Sequence, residues 1–84
     1  SLNLGLSNLQ VYPNPFTNFI TLNNSEYVSK VVLTNAIGQN VLEQKLSGSA
    51  STTTILTDAL PKGLYLLVIE SVSGEHSIRK IVKK

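Results

Sequence analysis

The chain contains no cysteine, no methionine and no tryptophan. Without cysteine there is no disulfide framework, no thiol nucleophile and none of the metal geometries that rest on thiolate. Charge is scarce too: seven Lys and Arg against five Asp and Glu give a net charge of +2, and only 14% of the residues are charged. Nucleic-acid binders usually carry a basic stripe, which this composition does not supply. No apolar run approaches the roughly 20 residues a membrane-spanning helix requires, and the first residues lack the basic start and apolar centre of an export signal. The chain begins with Ser1 instead of methionine, which points to a piece of a longer protein.

What is present is 84 residues, 42% of them apolar. That is enough for one small domain with one modest core, near the size below which small scaffolds need staples. Turn-forming clusters recur at 13–15, 23–25, 35–40 around Gly38, 47–49, 58–63 around Pro61, and at Ser73-Gly74. The runs between them are rich in Val, Ile, Leu and Thr and predict strands over 9–12, 17–22, 28–34, 40–46, 52–56, 64–71 and 76–82. Short strands with turn signals every 8–12 residues or so are the pattern of an all-β sandwich. "VLEQKL" is long enough for a turn and a half of helix, but its place after the Gly38 turn favours a hairpin arm.

The run "LYLLVIE" at 64–70 is apolar on both faces, which predicts a central strand whose outer face is covered or meets a partner. A two-residue turn at Ser73-Gly74 pairs Ile69 with Ile78, Leu67 with Lys80 and Tyr65 with Val82. These residues are assigned to the core face, Lys80 reaching water along its stem. The expected core is Val31, Leu33, Tyr65, Leu67, Ile69, Ile78 and Val82. Leu66, Val68, Arg79, Ile81 and Lys83 then form an outward apolar strip edged with positive charge.

Candidates for chemistry are few. His76 is the only histidine and lies beside Glu75 after a glycine turn; zinc needs three or four ligands, and one histidine makes no HxH or HxxxH pair. A serine nucleophile would need that same histidine as its base, and no GxSxG elbow is present. Glu26, Glu43, Asp58, Glu70 and Glu75 are scattered, without the spacing of a glycosidase pair or a calcium loop. Asp58 reads as a turn former before Leu60-Pro61. "NNS" at 23–25 matches a glycosylation acceptor but reads better as a β-turn. The basic end Arg79, Lys80, Lys83, Lys84 has no interleaved aromatics to stack on bases. The residues therefore predict no enzyme, no cofactor, no metal, no nucleic acid and no small-molecule substrate. A binding or recognition module remains.

"VYPNPF", "VVLTNAIGQNVLEQ", "LPKGLYLLVIES" and "IRKIVKK", in that order, resemble the type A C-terminal sorting domain of the type IX secretion system over residues 9–84. The resemblance implies an immunoglobulin-like β-sandwich of about seven strands at the end of a larger exported protein of a Gram-negative bacterium. Residues 1–8 would be the tail of a linker from a covalently attached upstream cargo. The implied partners are the outer-membrane translocon, reached through the periplasm, and a gingipain-like surface peptidase. That peptidase removes the domain in many members, leaving the cargo at the cell surface or secreted. Pro13, Asn14 and Pro15 match the family's entry motif. Asn35 stands where many members have aspartate, and Gly38 matches the glycine of the turn. Gly63 and Tyr65 match the penultimate strand, while Gly74, Lys80, Ile81, Val82, Lys83 and Lys84 match the closing turn and last strand.

Two readings follow for parts of this framework. "YPNPF" is read as holding the chain straight between leader and sandwich, as a breaker that guards a sheet edge, or as both together. The signal is expected on the final hairpin, 63–84, through the strip of Leu66, Val68, Arg79 and Ile81 and through strand addition to a free last strand. The competing function is a carbohydrate-binding or adhesive sandwich of a surface protein. Sugar platforms display several coplanar aromatics, and this chain offers only Tyr12, Phe16, Phe19, Tyr27 and Tyr65.

Overall fold

The computed structural model describes residues 8–46 and 50–84. The expected turn at 47–49 and, apart from Asn8, the expected linker lie outside the described residues. Runs of β-branched residues between turn formers become seven strands: β1 Gln10–Tyr12, β2 Phe19–Asn23, β3 Val28–Asn35, β4 Asn40–Lys45, β5 Thr52–Leu56, β6 Gly63–Ser71 and β7 His76–Lys83. They form two antiparallel sheets, β1-β2-β5 and β4-β3-β6-β7, with no helix among the described residues. This is the expected sandwich. The segment after Gly38 is the hairpin arm β4, and β6 is central, between β3 and β7.

Lettered in the immunoglobulin manner, the sheets read A-B-E against C′-C-F-G. Tyr65 adds a hallmark of that architecture: near the start of β6, its hydroxyl donates to the carbonyl of Pro61, four residues upstream, as in a tyrosine corner. Alternation places Ile20, Leu22 and Ile55 of one sheet against Val31, Leu33, Tyr65, Leu67, Ile69 and Ile81 of the other, all buried. Phe16 is also wholly buried and meets Tyr65 edge to face, ring centroids 6.0 Å apart.

The last hairpin differs from expectation by one residue. Its loop is Val72-Ser73-Gly74: Ser71 N–H donates to Glu75 O at 2.8 Å, and Gly74 N–H to Ser71 O at 3.1 Å. Gly74 closes it at φ 95°, in the left-handed region, as in three-residue hairpins with a glycine bulge. The Ser71 hydroxyl fixes this geometry by accepting from the backbone N–H of Ser73 (3.3 Å) and of Glu75 (3.0 Å). Tyr65 therefore pairs with Ile81, Leu66 with Lys80, Leu67 with Arg79 and Val68 with Ile78. A slip of one residue turns a strand over. Ile78 and Val82, expected in the core, are 63% and 41% exposed, while Ile81 and Lys83, expected outside, are 2% and 8% exposed. Arg79 also faces inward, its guanidinium donating to Leu9 O at 3.2 Å.

The Pro-Asn-Pro segment does not hold a leader straight; it changes sheets. Tyr12 pairs with Thr21 of β2, whereas Phe16 forms a parallel bridge with Lys83 of β7. The Tyr12–Pro13 and Asn14–Pro15 bonds are cis. After the crossing, Asn14 and Phe16 line the outer edge of β7. Asn14 donates to Lys80 O at 3.3 Å and accepts from Val82 N–H at 3.1 Å. Phe16 N–H donates to Val82 O at 2.8 Å, and Lys84 N–H to Phe16 O at 2.9 Å. The last strand is thus not free along 80–84, and the guarding role is the one realised.

Candidate functional site

Three basic residues of β7 lie on faces other than those expected: Arg79 and Lys83, expected outside, turn inward, and Lys80, expected on the core face, turns outward with the change of register. Lys83 is buried and caps the connection between β5 and β6: its ammonium donates to the carbonyls of Thr57 and Leu60 at 2.6 Å each and of Asp58 at 3.3 Å. Three carbonyl oxygens match the three donors of an ammonium, which is what lets the charge leave water. Arg79 bridges the two sheets through Leu9. Lys80, by contrast, is exposed and stands in register with Leu66.

The outward face of β3-β6-β7 is ordered in rows. Lys30, Glu70 and His76 make one row, Val32, Val68 and Ile78 the next, then Thr34, Leu66 and Lys80, and at the far end Leu64 and Val82. The first row is polar and internally paired, with Glu70 3.7 Å from Lys30 and 3.3 Å from His76. Beyond it lies an apolar strip in which Leu64, Leu66, Ile78 and Val82 are exposed and Val32 and Val68 half-buried. A shallow groove of about 270 Å³ runs over Val32 and Val68. These side chains form one contiguous apolar strip, with Lys80 beside it. Among the described residues no three potential metal ligands come together.

Of the residues picked from the sequence, Leu66, Val68, Lys80 and Val82 meet on this face. Tyr65, Arg79, Ile81 and Lys83 lie beneath it and support it. Gly63 begins β6 opposite Lys83, Gly74 is at the opposite end of the hairpin, and Lys84 follows β7. Pro13, Asn14 and Pro15 belong to the edge guard. Asn35 and Gly38 build the β3–β4 turn, where the Asn35 side-chain oxygen accepts from the N–H groups of Ile37 (3.2 Å) and Gln39 (2.9 Å) while its amide donates to Gln39 Oε1 at 3.1 Å. An aspartate could make the first two bonds but not the third, so here the turn uses an amide where charge is absent. Leu64 joins this face without having been singled out in the sequence, and Ile78, expected in the core, joins it through the change of register. Their signal was the apolar run on both faces of β6, with the loop length needed to decide which β7 residues join it.

The chain matches the family model described as secretion system C-terminal sorting domain over residues 10–84. It belongs to that family. Members are the C-terminal sorting signals of type IX secretion. Among solved structures, the sorting domain resembles part of PorZ, an essential bacterial surface component of the type IX secretion system of Porphyromonas gingivalis. The TM-score is 0.72 at 18% identity, and the match covers 98% of this chain and 12% of that one. The sorting domain thus corresponds in fold to a small part of that protein. No curated protein matches it.

Proposed function

We propose that the domain directs a covalently attached upstream cargo through the outer-membrane type IX translocon, and that residues 1–8 belong to the linker. It acts by being bound, without chemistry of its own. A gingipain-like surface peptidase then removes it, leaving the cargo at the surface or released after passage through the periplasm. The observation that supports recognition on the final hairpin is the outward strip of Leu64, Leu66, Val68, Ile78 and Val82 beside Lys80. Folding leaves Leu64, Leu66, Ile78 and Val82 exposed and Val68 half-buried when the domain is alone. The translocon would read this face, with Tyr65, Ile81 and Lys83 holding it in shape from within.

The test is a fluorescent reporter carrying the full chain at its carboxy terminus in a type IX-competent bacterium. Reporter outside the cells, with the domain cut away, is the expected result. Accumulation of intact fusion in the periplasm refutes the proposal.

A further inference from the structure

At the end of the sandwich where β7 finishes, the β3–β4 turn and the β5–β6 connection enclose a cleft of about 310 Å³, walled by Ile37, Val41, Pro61, Leu64 and Tyr65 with Lys62 at its rim. Ile37 is the notable wall. It stands at the tip of the turn, 78% exposed, on a backbone that is not loose. Besides the side-chain bonds of Asn35, Asn35 N–H donates to Gln39 O at 2.9 Å and Gly38 N–H to Asn35 O at 3.0 Å. A turn tied this firmly holds a large apolar side chain in water, where it contributes nothing to the core.

We propose that this cleft seats an apolar side chain of a protein partner, flanked there by carboxylates, and that it extends the recognition surface of the hairpin around the end of the sandwich. The inference rests on the sorting function proposed above.

Three observations select this occupant. The volume lies at the bottom of the range of small-molecule pockets, roughly 300–1,000 Å³, which suits one anchor side chain better than a cofactor. Lys62 lines the cleft, no carboxylate does, and neither Lys62 nor Lys80 makes an ion pair among the described residues. A partner meeting both therefore gains by presenting acidic groups around its apolar anchor. The cleft is also continuous with the apolar strip, because Leu64 belongs to both, paired with Val82 on one side and facing Ile37 on the other.

Its position fits a signal read with cargo attached. Asn8, where the described chain enters, is held by Asn24 Nδ2 at 2.9 Å beyond the end of β2, and the β6–β7 loop is at that same end, Val72 N–H donating to Tyr27 O. The cleft lies at the other end of a molecule 38 Å long, away from the point where the described chain enters.

The test uses the full chain behind the secreted reporter, in parent form and as Ile37→Asp, Lys62→Glu and Val72→Asp. Val72 is an exposed control at the cargo end. All four should melt within about 4 °C of one another, since exposed substitutions change stability little. Export of Ile37→Asp and Lys62→Glu should fall about tenfold or more, the scale of losing one anchor contact, with Val72→Asp secreted like the parent. Should Ile37→Asp melt lower than this, Lys62→Glu decides alone. Normal secretion of Lys62→Glu and of a folded Ile37→Asp, with the parent exported, overturns the cleft and leaves the sorting function standing. A parent that is itself retained overturns both. In a second arm the purified chain is mixed with phosphatidylglycerol vesicles; no association is expected, and sedimentation with vesicles that Ile37→Asp abolishes would make this a lipid surface and refute a protein anchor.

Discussion

The ammonium of Lys83 lies 2.6 Å from the carbonyl oxygen of Leu60, and equally close to that of Thr57. The penultimate residue of the described chain thereby fixes the connection that leads into β6 and the cleft. Replacing Lys83 by Met keeps the stem and removes the donors, leaving carbonyls of a partly buried segment without partners. The expected cost is about 1–3 kcal/mol, a fall in melting temperature of roughly 4–8 °C per kcal/mol for a domain of this size. Lys84→Met, next to it and exposed, should melt like the parent. Equal melting temperatures for both variants would show that the cage holds nothing.

The β6–β7 loop carries the next prediction. Gly74 at φ 95° occupies a conformation that costs an L-residue roughly 1–2 kcal/mol. Gly74→Ala should destabilise the domain by about that amount, read by thermal melting, without changing which face of β7 is inward. A shift of one residue reverses β7: deleting Glu75 while the three-residue loop is kept sets Ser71 opposite His76, the register under which Ile78 and Val82 would turn into the core and Lys83 would leave its carbonyls. That variant should fail to fold cooperatively by circular dichroism. A sharp unfolding transition would mean that β7 accepts either register.

This single residue also marks the limit of what could be read from sequence. The strands, the two-layer architecture, the central place of β6 and the inward set Val31, Leu33, Tyr65, Leu67 and Ile69 all follow from period-two alternation and turn residues, which are local signals. The face of β7 depends on loop length, and Ser73-Gly74 is compatible with a two-residue or a three-residue loop. What decides is the hydroxyl of Ser71, acting on the backbone of the loop itself. Phe16 and Asn14 were hidden for another reason. Their partners lie 67 and 68 residues away at Lys83 and Val82, and no local pattern reports a contact of that span. Of the five residues expected on the outward strip, Leu66 and Val68 lie there, whereas Arg79, Ile81 and Lys83 belong to the layer beneath.

Asn14 and Phe16 guard one edge by different means, and their removal should differ accordingly. Phe16→Ala empties a fully buried site against Tyr65 and should cost about 3–5 kcal/mol, comparable to the whole stability of a domain this small. It should leave the chain largely unfolded at 37 °C. Asn14→Ala removes two exposed hydrogen bonds and should keep the fold, while the amide of Val82 loses its acceptor. Hydrogen exchange at Val82 should then accelerate relative to Ile81, whose strand pairing is untouched. Unchanged protection at Val82 would count against the guard.

The sharpest contrast lies between two neighbours. Ile81 is 2% exposed and Val82 is 41% exposed, so two adjacent apolar residues of one strand belong to different layers. Ile81→Ser buries a hydroxyl opposite Tyr65 and empties part of the core; the expected loss is about 2–5 kcal/mol, with a broadened or absent melting transition. Val82→Ser changes only the outer strip and should move the melting temperature by no more than about 4 °C. Export separates the roles. If the strip is read by the translocon, Val82→Ser and Leu66→Ser lower secretion of a reporter fusion while remaining folded. Ile81→Ser lowers it because there is no fold left to read. Full secretion of the folded Val82→Ser and Leu66→Ser proteins would remove the strip from the signal, since both substitutions leave the buried supports of that face in place.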